Sequence, residues 1–363
     1  MKQSNFQLYS SSKEAWIAIQ EAILGAQKSI YWELYIFIDD EVGRPFFDVL
    51  EQKAKTGVDV KIIVDSFGSF WLSRERVKSM RSAGVELFFF SERSKKIRGW
   101  WKRLFSRTHR KCLVVDEQIG FVGGVNIEKD SKDWFDIQLR VEGKVVHSLL
   151  RAFARSYIIC GGNVDKVKHL LKYKFRVKSD EAEMVADEPD LKNSNARNVY
   201  VEAFLKARER VILFSPYYFP DKKFILALWQ ARKRGVKVDL LIPFRTDVRL
   251  STYASYVWFS FMSKLGVNIH FFNKMFHGKG VIVDDEWAMI GSSNIEKTSF
   301  YDNYEMNLKV KEKESVKKIK NIVLNWMNET IKFDKDRWAK RGMLVKFKIW
   351  LAKTFYRFWH GDR

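Results

Sequence analysis

Short apolar, β-branched runs alternate along the chain with stretches whose apolar positions recur at helical spacing. The first group comprises residues 29–37 (SIYWELYIF), a helix-like stretch, residues 57–69 (GVDVKIIVDSFGS) and residues 84–90 (GVELFFF). The succession returns as residues 210–219 (RVILFSPYYF), a similar helix-like stretch, residues 235–247 (GVKVDLLIPFRTD) and residues 266–272 (GVNIHFF). The runs predict buried strands and the periodic stretches predict amphipathic helices. Gly57 and Gly235 stand where each helix should stop. Strands alternating with helices predict an α/β fold in which a mixed or parallel sheet is covered by helices.

The two groups are copies of one unit. Residues 109–126 (HRKCLVVDEQIGFVGGVN) and 277–294 (HGKGVIVDDEWAMIGSSN) share the pattern H-x-K-x4-D-x6-G-[GS]-x-N, and both continue Ile-Glu-Lys. A repeat of this kind decides architecture. It predicts two similar α/β halves, residues 1–165 and 196–335, related as a pseudo-twofold repeat with the active site at their interface. Residues 166–195 read as a linker, because residues 178–195 (KSDEAEMVADEPDLKNSN) are polar and acidic and contain Pro189. A solvated loop within one domain is the alternative. Residues 336–363 read as a basic amphipathic C-terminal helix.

Within the repeated motif, a His and a Lys two apart on a strand point to the same face. His109 and Lys111 therefore share one surface, and His277 and Lys279 another. Asp116 and Asp284 end the following apolar runs at turn-like sequences. The small residues at Gly123-Gly124 and Gly291-Ser292 would let backbone approach a ligand, and a helix starting next would aim N–H groups at an anion. Asn126 and Asn294 would add amide donors. Two copies facing one pocket supply two imidazoles, two ammonium groups and anion-binding amides, a set suited to a phosphodiester. One neutral His attacks phosphorus, the other donates a proton to the leaving alcohol and later deprotonates the incoming one, and the lysines offset charge on the non-bridging oxygens. This chemistry calls for no cofactor and no metal. The other histidines, His147, His169, His270 and His360, lack such a setting.

The doubled motif resembles the paired signatures of the phospholipase D superfamily over roughly residues 15–335. The flanks, among them residues 33–69 and 215–247, are similar to bacterial cardiolipin synthases of the type lacking N-terminal transmembrane helices. That resemblance implies a phosphatidyl group moved from one phospholipid to the alcohol of another, phosphatidylglycerol, through a phosphohistidine. It assigns nucleophilic attack to His109 and acid/base duty to His277. Asp116 and Asp284 complete the motif set, although they are expected to be more structural than chemical. It also implies an acidic residue that orients each imidazole. Asp136 and Glu305 stand ten and eleven residues past the motif asparagines, where a carboxylate would fix the tautomer. Gly124, Ser292, Asn126 and Asn294 are expected at the substrate phosphate. Hydrolysis to phosphatidic acid and cleavage of nucleic acid are the competing reactions of such a site.

Composition sharpens the choice of partner. The 363 residues carry a formal net charge of +21 and 15% aromatic residues, so the surface needs an anionic partner. Two cysteines exclude a disulfide framework. The N-terminus lacks the apolar core of a signal peptide, and no run is long enough to span a bilayer. The expectation is a peripheral protein on the cytoplasmic side of the cell membrane, with nucleic acid the poorer fit. Residues 93–111 (RSKKIRGWWKRLFSRTHRK) combine nine Lys/Arg with Trp100 and Trp101, as an anionic headgroup layer would favour. In residues 343–359, Leu344, Phe347, Leu351, Phe355 and Phe358 fall on one helical sector. Trp350 flanks it, Lys346, Lys353 and Arg357 lie opposite, and Lys348 breaks the pattern at the apolar edge. The arrangement is that of an interfacial helix, with a helix packed on the protein's own core as the alternative.

Overall fold

The computed structural model describes residues 5–90, 106–175, 181–189 and 194–360. Two mixed sheets form its frame. The first is built from β1 (Phe6–Ser11), β2 (Ser29–Leu34), β3 (Asp59–Asp65), β4 (Glu86–Phe90), β5 (Cys112–Val115), β6 (Ile119–Gly123) and β7 (Phe135–Glu142), in the order β1-β7-β6-β5-β2-β3-β4. The second comprises β8 (Ala182–Asp187), β9 (Arg210–Phe214), β11 (Lys237–Pro243), β12 (Asn268–Phe272), β13 (Gly280–Val283), β14 (Trp287–Gly291), β16 (Glu305–Val310) and β17 (Thr330–Lys332). Its order is β17-β12-β11-β9-β13-β14-β16-β8. The remaining strands, β10 (Tyr218–Phe219) and β15 (Ile295–Glu296), form a short parallel ribbon. Apart from β17, the second order reproduces the first strand for strand.

This equivalence corrects the linker boundary. The strand β8 occupies the place of β1, pairing antiparallel with β16 as β1 pairs with β7. Residues 182–187 are therefore the edge of the second sheet. Their weak strand sequence, AEMVAD, folds as strand because β16 offers a free edge and five of the six residues, all but Glu183, are buried.

The parallel core of each sheet comes from the predicted runs. All six residues of β2 and all four of β5 are buried, as expected for strands covered on both faces. Helices Ser12–Gly25 and Gly43–Lys55 cover the outer face of the first sheet, and Asn195–Lys206, Lys222–Lys233 and Arg249–Lys264 that of the second. Between the sheets lies one shared core. The helices Val145–Ile159 and Lys313–Asn328, each following the last long strand of its half, contribute Leu149, Phe153, Val323 and Trp326 to it. Near the pseudo-twofold axis β6 and β7 pack directly on β14 and β16, so the second strand of each motif and the next long strand after it meet there.

Candidate active site

The residues before β5 are extended but bond to the other half rather than to their own sheet. His109 N donates to Tyr304 O (2.9 Å), and Tyr304 N donates to Arg107 O (2.8 Å). The second copy repeats this: His277 N donates to Phe135 O (2.6 Å), and Phe135 N to Met275 O (3.3 Å). Each histidine is thus stitched beside the start of β16 or β7 of the opposite half. The carboxylates follow from that stitching. Glu305, the first residue of β16, places both oxygens 3.0 Å from His109 Nδ1. Asp136 places Oδ2 2.9 Å from His277 Nδ1, and Gly124 O lies 3.1 Å from the same nitrogen. Each carboxylate thus bonds the imidazole of the other half's motif.

Both lysines bend back: Lys111 Nζ donates to His109 O (2.9 Å), and Lys279 Nζ to His277 O. Lys111 also lies over the Tyr35 ring, 5.1 Å from its centroid. The tyrosine stands edge-on to His109 at 4.9 Å, and Trp134 leans on His277 at 5.2 Å. Neither aromatic belongs to the repeated motif, so pattern matching passed over them.

Burial dominates the electrostatics. It holds the His109 pKa down to about 4, with Lys111 and Lys279 acting in the same direction against Glu305. Burial and then Lys279 lower that of His277. The ammonium of Lys111 is lowered to about 8 and that of Lys279 to about 7, burial again the main cause. Burial acts to raise Glu305, but His109, Ser292 and Lys111 outweigh it and keep the carboxyl below its ordinary range. These shifts favour the neutral form of each imidazole, with Nδ1–H given to a carboxylate and Nε2 left as the lone-pair nitrogen. Since both imidazoles and both ammonium groups are depressed, an anion bound beside them would restore protons to them.

Two predicted ligand groups, Gly124 and Ser292, are used differently. Gly124 N donates to Ile137 O (3.2 Å) and Ser292 N to Met306 O (3.0 Å), so neither amide is available to an anion. The helices that follow begin only at Lys129 and Lys297, and they are three and five residues long. Gly124 instead makes room for Asp136, and the Ser292 hydroxyl donates to Glu305. Asp116 and Asp284 sit at the far ends of β5 and β13. Each accepts three backbone N–H bonds, from Gln27, Lys28 and Ser29 or from Arg208, Glu209 and Arg210. Their positive φ angles, 52° and 49°, shape the hairpin turn. These aspartates pin the fold and do not reach the histidines, because a full strand separates them.

Asn126 and Asn294 are buried. Each donates Nδ2 to a glutamate two residues on, Glu128 (3.4 Å) and Glu296 (3.2 Å), and each leaves a buried Oδ1 without a partner among the described residues. Burial raises both glutamates to about 7. The repeated Ile-Glu-Lys after each motif was the signal for this second symmetric pair. No group of His, Cys, Asp and Glu among the described residues is arranged to hold a metal.

Of the predicted membrane contacts, Trp100 and Trp101 lie outside the described residues, as does the side chain of Phe355. The helix Met343–His360 packs on Arg249–Lys264, burying Ala352 and tucking in Ile349. Met343, Leu344, Phe347, Trp350 and Leu351 remain exposed on it. No helix among the described residues is long and apolar enough to cross a membrane.

The family model described as "Cardiolipin synthase, PLD-like domain" matches residues 19–156 and 200–327. Cardiolipin synthase 2 of Bacillus anthracis is 32% identical over 94% of this chain and 68% of its own length. A cardiolipin synthase of Halalkalibacterium halodurans is 33% identical over 84% and 62%, and a probable one of Bacillus subtilis is 30% identical over 97% and 72%. The chain thus spans about two thirds of these relatives. Among solved structures, phosphatidylserine synthase of Haemophilus influenzae shares the fold with a TM-score of 0.75 at 14% identity, covering 97% of this chain and 93% of that one. The doubled sheet, the paired motifs and these matches agree: the chain belongs to the cardiolipin synthase family, built on the phospholipase D-like domain.

Proposed function

We propose that this protein is a phosphatidyltransferase of the cardiolipin synthase type, moving a phosphatidyl group from one phospholipid to the alcohol of phosphatidylglycerol. The observation that carries the reading is the crosswise pairing of two buried imidazoles with Glu305 and Asp136, beside two buried lysines. His109 Nε2 attacks phosphorus and the P–O bond to the leaving headgroup breaks. That alkoxide takes a proton from His277, protonated once the phosphodiester anion is bound, leaving a phosphohistidine and a neutral His277. The incoming hydroxyl gives its proton back to His277 as its oxygen forms the new P–O bond and the N–P bond breaks. Lys111 and Lys279 offset charge on the non-bridging oxygens. Asn126 and Asn294, each with an Oδ1 unpartnered among the described residues, suit headgroup hydroxyls, which would donate to it. The work takes place at an anionic membrane surface on the cytoplasmic side, with the exposed apolar side of the C-terminal helix as one contact.

Incubation with phosphatidylglycerol vesicles tests this. Cardiolipin together with free glycerol is expected. Phosphatidic acid would make the protein a hydrolase, and no lipid turnover would overturn the reading. His109→Ala is expected to abolish both turnover and any covalent phospho-adduct, whereas an adduct that persists would move the nucleophile to His277.

A further inference from the structure

The segment joining β3 to the helix Arg74–Ser82 is held tightly yet presents large aromatic rings to solvent. The carboxylate of Asp65 accepts N–H bonds from Phe67 (2.9 Å) and Gly68 (3.0 Å), and from Thr108 (3.0 Å), the residue before His109. The Ser69 hydroxyl donates to Tyr35 O (3.1 Å) and accepts from Phe37 N (3.0 Å). Gly68 lies so close to the chain at Tyr35 that a Cβ there would meet Tyr35 O at 2.4 Å. The backbone of this loop is therefore bolted to the wall that carries Tyr35 against His109. Its aromatic side chains point the other way. Phe67, Phe70 and Trp71 are 65%, 70% and 78% exposed, and of the loop's large apolar groups only Leu72 is buried. Phe70 and Trp71 contact each other edge to face at 5.3 Å. Fixing a loop by so many bonds while leaving its largest apolar groups in water is not explained by folding; such a patch marks an interaction surface.

The next helix indicates the partner. Arg74, Lys78 and Arg81 recur at helical spacing, on one side. Arg74 and Lys78 make no ion pair among the described residues, whereas Arg76 is held by Asp39, Asp48 and Glu51. A cavity of about 800 Å³ separates loop from helix, lined by Ser66, Phe70, Arg74, Lys78, Arg81 and Phe89 among others, with no carboxylate among the described lining residues. Aromatic rings flanked by unpaired cations match a surface that is apolar within and anionic at its face.

We propose that residues 66–72, together with Arg74, Lys78 and Arg81, seat the protein on an anionic phospholipid bilayer. Phe70 and Trp71 enter the headgroup–acyl boundary, and the cations lie over the headgroup phosphates. Because the loop adjoins Tyr35 and His109, docking brings lipid to one lip of the catalytic pocket. This last consequence rests on the lipid-transfer reading above; the docking surface does not.

The test uses the full chain and vesicles of phosphatidylcholine with or without phosphatidylglycerol. The double variant Phe70→Ser/Trp71→Ser is expected to bind the anionic vesicles about tenfold or more weakly. Arg74→Gln/Lys78→Gln is expected to reduce the preference for anionic over neutral vesicles about tenfold. Both should keep wild-type turnover of a short-chain phosphatidylglycerol dispersed as monomer. A Trp71→Cys variant carrying an environment-sensitive dye gives a second readout, because Cys112 and Cys160 are buried. Its emission should shift to the blue on anionic vesicles and not on duplex DNA. Unchanged vesicle binding by the aromatic double variant, or a dye that answers DNA instead of vesicles, overturns the proposal. Loop-dependent binding without lipid turnover would overturn the function and leave the docking surface standing; turnover with loop-independent binding would do the reverse.

Discussion

A methyl group at position 124 has no space: a Cβ built on Gly124 falls 2.3 Å from Asp136 Oδ1, while Gly124 O lies 3.1 Å from His277 Nδ1. Gly124→Ala is therefore expected to push Asp136 off His277. Turnover should drop by about 10² or more, the scale of a positioned acid–base group, with little change in melting temperature. Asp116→Ala should do the opposite. The three N–H groups it serves would lose their acceptor, costing about 1–3 kcal/mol in denaturant unfolding, while kcat stays near wild type. Burial acts to raise the Asp116 pKa, but the N–H groups of Ser29, Gln27 and Lys28 outweigh it and hold the value below its ordinary 3.8. Its stabilising contribution is thus complete above the unfolded value and fades as pH falls through the lowered one. Asp-Glu after an apolar run already reads as a turn, so the role of Asp116 was legible in outline. The role of Gly124 was not, because what crowds it comes from another strand.

Among the elements, the strands β2, β3, β5 and their counterparts were legible because burial on both faces leaves a continuous apolar run. The edge strand β8 was not: its composition is that of a solvated connection, and only the free side of β16 makes it a strand. The C-terminal helix shows a different limit. Its periodicity places Leu344, Phe347 and Leu351 on one side, but periodicity cannot say whether that side meets protein or lipid. In the fold, the neighbouring helix takes Ile349 and Ala352 instead, leaving Leu344, Phe347, Trp350 and Leu351 outward. Removing residues 340–363 is therefore expected to weaken binding to anionic liposomes severalfold without loss of the core fold, read by co-sedimentation and thermal melting. Liposome binding equal to that of the full chain would reject the anchoring role.

Across the whole molecule, the paired motifs were enough to infer one shared pocket, but spacing along the chain could not show which carboxylate serves which histidine. Asp136 and Glu305 each lie just downstream of their own motif, and only the stitching of His109 beside Tyr304 and of His277 beside Phe135 sends them crosswise. Neither half alone holds an oriented imidazole. The same convergence packs Lys111 and Lys279 into one buried volume, and this has a measurable consequence in pH. In the proposed mechanism His109 must be neutral to attack, a condition met above about 4. The pocket must also keep its cations, and these are lost as pH rises through about 7 at Lys279 and about 8 at Lys111. The sign is thus fixed: kcat/KM should fall on the alkaline side, through groups of the free enzyme. A bound phosphodiester anion favours the protonated form of every one of those groups, so the fall in kcat should lie at higher pH than the fall in kcat/KM. Binding of a non-reactive phosphodiester should take up protons from weakly buffered solution. A kcat/KM that rises steadily through the same range would mean that the lysines do not carry the charge of the bound phosphate.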